Sequence, residues 1–192
     1  MLNGTELPAT ADLEAAVRHN RYVQRFRATV RSTFLSLVVV AAAAVLVAVL
    51  LLPILRIYGK SMRGTLDSGD IVVSVKTSNM KTGDIIAFYY NNNILVKRMI
   101  ANPGDMVDID QEGNVYVNDV KLDEPYLDDK AYGETNIELP YQVPEGKVFV
   151  MGDNRSASID SRNTSIGCVS EEQIVGKIVF RVWPLTQIGS VH

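Results

Sequence analysis

The chain has 192 residues, 47% of them hydrophobic and 21% charged, with a net charge of −3 at pH 7. That length suits one domain plus an accessory segment, and the acidic balance argues against a nucleic-acid binder, which normally shows a basic surface. One cysteine, Cys168, and two histidines, His19 and His192, exclude an intramolecular disulfide and a four-cysteine zinc site, and they leave almost no room for a Ser-His-Asp triad or a His-rich metal centre.

Residues 1–9 read as a mobile tail. From Asp12, an N-cap residue type, to Arg31, the apolar residues Leu13, Val17, Val23, Phe26 and Val30 recur at roughly helical spacing. Arg18, Arg21, Arg25, Arg27 and Arg31 punctuate them, five basic residues against three acids in residues 1–31. Two readings are open for this segment. It is a solvated helix with a charged face, or a helix that lies on anionic headgroups or runs into a membrane span. Between Arg31 and Arg56 no charge occurs over 24 positions, and about 20 apolar residues cross a bilayer core. The sequence therefore predicts a transmembrane helix over 32–56. The competing reading is a cleavable signal peptide, which has a shorter apolar core and a shorter leading region. The five arginines before the span outnumber Arg56, Lys60 and Arg63 just after it. This places residues 1–31 in the cytoplasm and residues 57–192 outside.

Beyond the span the pattern changes to short runs of period two. Ile71–Val75, Ile85–Tyr90, Ile94–Ile100, Val115–Val117, Val148–Met151 and Ile174–Val182 read as strands. Gly69-Asp70, Gly83-Asp84, Gly104-Asp105, Gly152-Asp153 and Asn91-Asn92-Asn93 read as turns. The predicted fold is mostly β, a barrel-like folded sheet behind a single N-terminal helix. Residues 57–192 carry 13 basic against 19 acidic residues. Within them, residues 108–146 are acidic and turn-rich, either a protruding β-ribbon or a loop.

Three clusters carry chemistry. Gly59-Lys60-Ser61 ends like a nucleotide-binding loop, but the Gly such a loop needs five positions earlier is Ile54, inside the apolar stretch, so nucleotide binding is rejected. As a nucleophile Ser61 needs a base, and with histidine unavailable a lysine is the natural choice. Lys97 is distinct because it lies within Ile94-Leu95-Val96-Lys97-Arg98-Met99-Ile100. On a strand it shares a face with Leu95 and Met99. Such a face would strip water from the amine and lower its pKa. The alternative is an edge lysine that reaches out to water. The third cluster runs from Gly152 to Arg162. It is either a surface loop or a buried network in which Asp153 and Asp160 pair with Arg98, Arg155 or Arg162, and a serine holds the lysine in line.

Together these clusters resemble the bacterial type I signal peptidases, membrane-anchored Ser-Lys proteases. The matching residues are Ser61-Met62-Arg63-Gly64-Thr65-Leu66 with Gly69-Asp70, then Val96-Lys97-Arg98-Met99-Ile100 with Pro103-Gly104-Asp105. The last group is Gly152-Asp153-Asn154-Arg155 with Ser158, Asp160-Ser161-Arg162 and Gly167. The resemblance runs from the apolar stretch to about Trp183. It implies a membrane-bound serine endopeptidase that removes signal peptides from secretory preproteins after small residues, through an acyl-enzyme. It implies Ser61 as nucleophile, Lys97 as general base and Ser158 as the hydroxyl that orients the lysine. Asp153, Asp160, Arg98 and Arg162 become a supporting salt-bridge network, and the Ser61 backbone N–H becomes an oxyanion donor. No metal, cofactor, nucleotide or nucleic acid is implied, and the partners are preproteins and the lipid bilayer.

The chain departs from the family pattern at two positions. Gly64 replaces a proline, which reads as a loosened path beside the nucleophile. Gly59 stands where some members add a second oxyanion hydroxyl. Two other classes remain. A self-cleaving repressor should carry a soluble DNA-binding N-terminus, and a membrane protein that binds signal peptides without cutting them would not need both Ser61 and Lys97. Cys168, alone at the start of a strand, reads as a packing residue.

Overall fold

The computed structural model describes residues 10–51 and 53–191, so the expectation for residues 1–9 lies outside the described residues. The chain divides into two units, one ending at Leu51 and the other following it.

The first unit is α1 (Thr10–Leu51), 42 residues of unbroken helix. Asp12 lies within it rather than at its cap. The basic segment and the apolar stretch are one continuous helix. Its described side chains from 21 to 47 are exposed, save the half-buried Val23. Leu37 and Val39, for example, are 64% and 66% exposed. Among the described residues this is the one helix long and apolar enough to cross a membrane. It stops short of the expected boundary at Arg56, and Pro53 is the reason. Proline disfavours helix in the residue before it and cannot continue the backbone ladder. The uncharged helical stretch is therefore residues 32–51, about 30 Å at 1.5 Å per residue, the thickness of a bilayer core.

The residues after the proline join the second unit as β1 (Ile54–Arg56). Then come β2 (Ile71–Val75), β3 (Ile85–Tyr90), β4 (Asn93–Ala101), β5 (Met106–Ile109), β6 (Val115–Val117) and β7 (Val120–Lys121). The last are β8 (Tyr141–Gln142), β9 (Lys147–Met151), β10 (Val169–Ser170), β11 (Ile174–Trp183) and β12 (Gly189–Ser190). The unit is mostly β, as the sequence predicts. The main sheet is antiparallel, in the order β1-β2-β11-β3-β4-β9-β10, with β12 added to β11. It is an open path rather than a closed ring among the described residues.

Three of the Gly-Asp pairs share one device. The glycine takes a positive φ (Gly69 +105°, Gly83 +95°, Gly104 +84°), which costs glycine little. The aspartate after it accepts the N–H of the residue three back: Asp67 to Asp70, Lys81 to Asp84 and Asn102 to Asp105, at 2.8–3.1 Å. Each turn delivers the chain into the next strand. Asn91 and Asn92, at φ 43° and 64°, close the β3–β4 hairpin, in which Tyr90 faces Asn93. This is the left-handed pair that a two-residue hairpin demands.

The acidic stretch expected as a protruding ribbon or a loop supplies most of a second antiparallel sheet, in the order β7-β6-β5-β8. It does not stand free. Val107, Ile109, Val115 and Val143 share a core with Ile100, Ala101, Phe149 and Met151 of the main sheet. Each such buried side chain contributes about 1.5–3 kcal/mol. Leu122, Tyr132, Ile137 and Leu139 pack against the same core and hold the segment between β7 and β8 to the main sheet.

Candidate active site

Ser61 opens a tight turn held from behind by the core. Met62 and Leu66 are 2% and 1% exposed and belong to a cluster with Ile57, Val72, Ile85 and Ile178. The N–H groups of Arg63, Thr65 and Leu66 turn back to the carbonyls of Lys60 and Met62 at 2.8–3.2 Å. Gly59 and Gly64 bracket the turn with φ of +96° and +102°. Gly64 is thus not a loosened proline site, because a proline ring holds φ near −65° and cannot adopt this backbone. Ser61 is half-buried and lines an apolar cleft of about 540 Å³ between Leu55–Gly59 and Asn92–Val96. Neither its hydroxyl nor its N–H bonds another described residue, while its carbonyl accepts the Asn154 N–H at 3.0 Å.

Lys97 is no edge lysine. Its strand β4 lies between β3 and β9, and Lys97 faces Ile86 across the ladder. Ile86 and Met99 are buried in one cluster, with Leu95 packed against it. The lysine is 4% exposed. Burial strips water from its charged form and brings its pKa from 10.5 down to about 8, the largest influence on it. Asp160 and Asp153 pull it back upward, and Arg162 pushes it further down. Its Nζ donates to Ser158 Oγ at 3.0 Å.

Ser158 and Ser61 meet at Gly152. A Cβ there would collide with the Ser158 hydroxyl and with the Ser61 carbonyl. Gly152, unlike the other three Gly-Asp glycines, has no positive φ. It is glycine because two parts of the site approach closer than a methyl group allows. Asn154 completes the stitch, its side chain donating to the Lys60 carbonyl at 3.1 Å.

The stretch from Gly152 to Arg162 is buried rather than a surface loop at its charged positions. Arg98 clamps Asp153 through Nε and Nη2 at 2.9 and 2.7 Å. The Thr65 hydroxyl donates to the same carboxylate at 2.5 Å. Arg162 grips Asp160 at 2.8 and 2.9 Å. Burial alone would raise the Asp160 pKa, but the bonds from Arg162, the Gly152 N–H and the Ser158 hydroxyl outweigh it and hold the carboxyl below its ordinary value. Arg155 pairs with neither aspartate. It reaches Glu124 at 2.5 Å and donates from Nε to the Gly152 carbonyl at 3.0 Å. Tyr126 lays its ring over Arg98, 3.8 Å from the guanidinium carbon.

Sequence reasoning missed Glu124, Tyr126 and the close approach at Gly152. Glu124 lies 31 residues from its partner in an acidic stretch where no carboxylate stands out. Gly152 reads in the sequence as one more turn glycine. Among the described residues no group of three or more His, Cys, Asp or Glu could hold a metal.

A half-buried hydroxyl beside an apolar cleft, and a desolvated amine held by a second hydroxyl, are the kinds of group that serine acyl transfer requires. A family model described as signal peptidase, peptidase S26, matches residues 30–183. Signal peptidase IB of Staphylococcus aureus (strain COL) is 39% identical over 151 residues, covering 68% of this chain and 78% of that protein. Signal peptidase I of Bacillus caldolyticus is 40% identical over 147 residues, covering 68% and 79%. The crystal structure of a signal peptidase I from Enterococcus faecalis V583 is 31% identical with a TM-score of 0.46, covering 53% of this chain and 98% of that one.

Proposed function

The chain belongs to the signal peptidase family, peptidase S26, serine endopeptidases that remove signal peptides, and we propose that Ser61 is its nucleophile and Lys97 its general base. The observation that carries this reading is Lys97, 4% exposed, with its amine 3.0 Å from Ser158 Oγ, a hydroxyl that shares Gly152 with Ser61.

Neutral Lys97 takes the Ser61 proton as Oγ attacks the scissile carbonyl. The developing oxyanion faces the Ser61 N–H, which has no partner among the described residues. Gly59 offers no hydroxyl, so the second donor is backbone or water. The tetrahedral species collapses to an ester on Ser61, and Lys97 returns the proton to the departing amine. Lys97 then activates a water that cleaves the ester. Ser158 holds the amine in line throughout. In the resting site the lysine bonds Ser158 and not Ser61. The Ser61–Lys97 hydrogen bond forms when substrate closes the site, as catalytic hydrogen bonds commonly do.

The apolar cleft beside Ser61 has room for an extended peptide, and the family resemblance implies small side chains before the cut. The uncharged helix spans the bilayer with its basic end in the cytoplasm, so that the β unit works outside. Cleavage of a preprotein in detergent by the wild type, Ser61→Ala and Lys97→Ala, with a melt of each, tests the assignment. Cutting by the wild type alone, with all three folded, is expected. Cutting that survives Ser61→Ala refutes the assignment. Folded wild type that does not cut would favour binding without cleavage.

A further inference from the structure

The buried network around Lys97 is charge-matched without it. It holds three arginines, Arg98, Arg155 and Arg162, none more than 1% exposed. Among the described residues they pair with Asp153, Glu124 and Asp160 respectively. Lys97 forms no ion pair with the described residues and rests on a hydroxyl. Two of these carboxylates belong to the loop after β9. The third, Glu124, is 6% exposed and comes from the segment between β7 and β8. The same segment supplies Tyr126, whose hydroxyl donates to Glu124 at 3.0 Å while its ring covers Arg98. Pro125 stands at the second position of the turn that joins them, closed by the Leu127 N–H on the Glu124 carbonyl at 3.2 Å, and its fixed φ suits that place.

We propose that Glu124 and Tyr126 are positioning residues for the hydrolysis, acting through Arg155 and Arg98. Arg155 donates to the Gly152 carbonyl, and Gly152 touches both Ser61 and Ser158. Arg98 holds Asp153 and, through Nη2 at 3.2 Å, Thr65 of the nucleophile turn. A segment outside all three motifs thus sets the spacing of the two serines. Glu124 also neutralises Arg155, whose charge would otherwise stand unpaired in the buried network beside Lys97. The inference rests on the Ser61–Lys97 reading.

The test is cleavage of a preprotein in detergent across pH 6–10, with melts, for the wild type, Glu124→Gln, Glu124→Gln/Arg155→Gln, Tyr126→Phe and Tyr126→Leu. Loss of spacing lowers kcat about 10-fold or more with KM little changed, since displacements near 1 Å can cost about 10²-fold. In Glu124→Gln the unpaired Arg155 disfavours protonated Lys97, so the acid limb of the rate profile moves to lower pH. Removing both charges returns the limb to its wild-type place while kcat stays low. A merely structural role lowers kcat and Tm and leaves the limb where it was, which overturns the proposal. Should Glu124→Gln not fold, the Tyr126 pair decides. Tyr126→Leu should lose kcat about 10-fold while Tyr126→Phe, which keeps the ring, retains most of it, and equal kcat in both refutes the positioning role. Wild type that does not cut refutes the underlying reading and this proposal with it. Wild-type cutting that the Glu124 and Tyr126 variants share refutes this proposal alone.

Discussion

Replacing Lys97 by methionine should abolish cleavage and make the protein more stable at pH 6. Methionine keeps the length and flexibility of the stem and suits an apolar surround. In the unfolded chain the lysine titrates near 10.4, and in the fold its pKa is about 8. Between those values the unfolded state holds more protons, so stability rises with pH through the window and the deficit is full below about pH 8. A difference of about 2.4 units corresponds to roughly 3 kcal/mol. The lost bond to Ser158 offsets about 1 kcal/mol of the gain. The net stabilisation is about 2 kcal/mol at pH 6, worth roughly 4–8 °C in Tm for a domain of this size. By about pH 9.5 the remaining deficit roughly equals the lost hydrogen bond and the difference closes. Melts of both proteins at pH 6 and pH 9.5 in one detergent read this directly. A Lys97→Met protein less stable than wild type at pH 6, or one with the same Tm difference at both pH values, would refute the view that the fold holds a desolvated amine whose burial its neighbours only partly offset.

Three further outcomes follow from the same geometry. Gly152→Ala forces the Ser158 hydroxyl and the Ser61 carbonyl apart by about 1 Å; it should cost about 10²-fold in kcat and about 1–3 kcal/mol of stability, and wild-type kinetics in this variant would mean the two serines do not depend on that approach. Gly64→Pro should unfold the nucleophile turn rather than firm it, because φ is +102° there, and a variant with wild-type activity and a raised Tm would contradict that backbone. Asp160→Asn removes the largest influence that raises the Lys97 pKa. Its acid limb should therefore move to lower pH in a cleavage assay, while the unpaired buried Arg162 lowers stability by about 3–5 kcal/mol in denaturant titration.

Local chemistry makes much of the molecule legible from residue order. The uncharged run, the period-two strands from Ile71 to Val182 and the turn residues depend on neighbours a few positions away, and those can be read directly. The strands that the pattern does not reveal, β1, β5, β7, β8, β10 and β12, have two to four residues each, where a period registers only in a favourable case such as the Val-Tyr-Val of β6. The end of the helix is legible in Pro53, but the apolar run across it masks the change from helix to strand.

What the sequence determined by itself was the order of chemistry along the chain: one long apolar helix, a serine after it, a lysine inside an apolar strand, and a loop dense in charge and hydroxyl. Tertiary structure decided what those residues meet. Desolvation of Lys97 depends on β3 and β9 closing over both edges of β4. The glycine requirement at 152 depends on Ser61 and Ser158 arriving from positions 91 and 6 residues away. The choice of Glu124 for Arg155 depends on how the small sheet packs on the large one. Side-chain pairing in a buried network follows proximity in space, and chain order carries no record of which carboxylate lies nearest to which guanidinium.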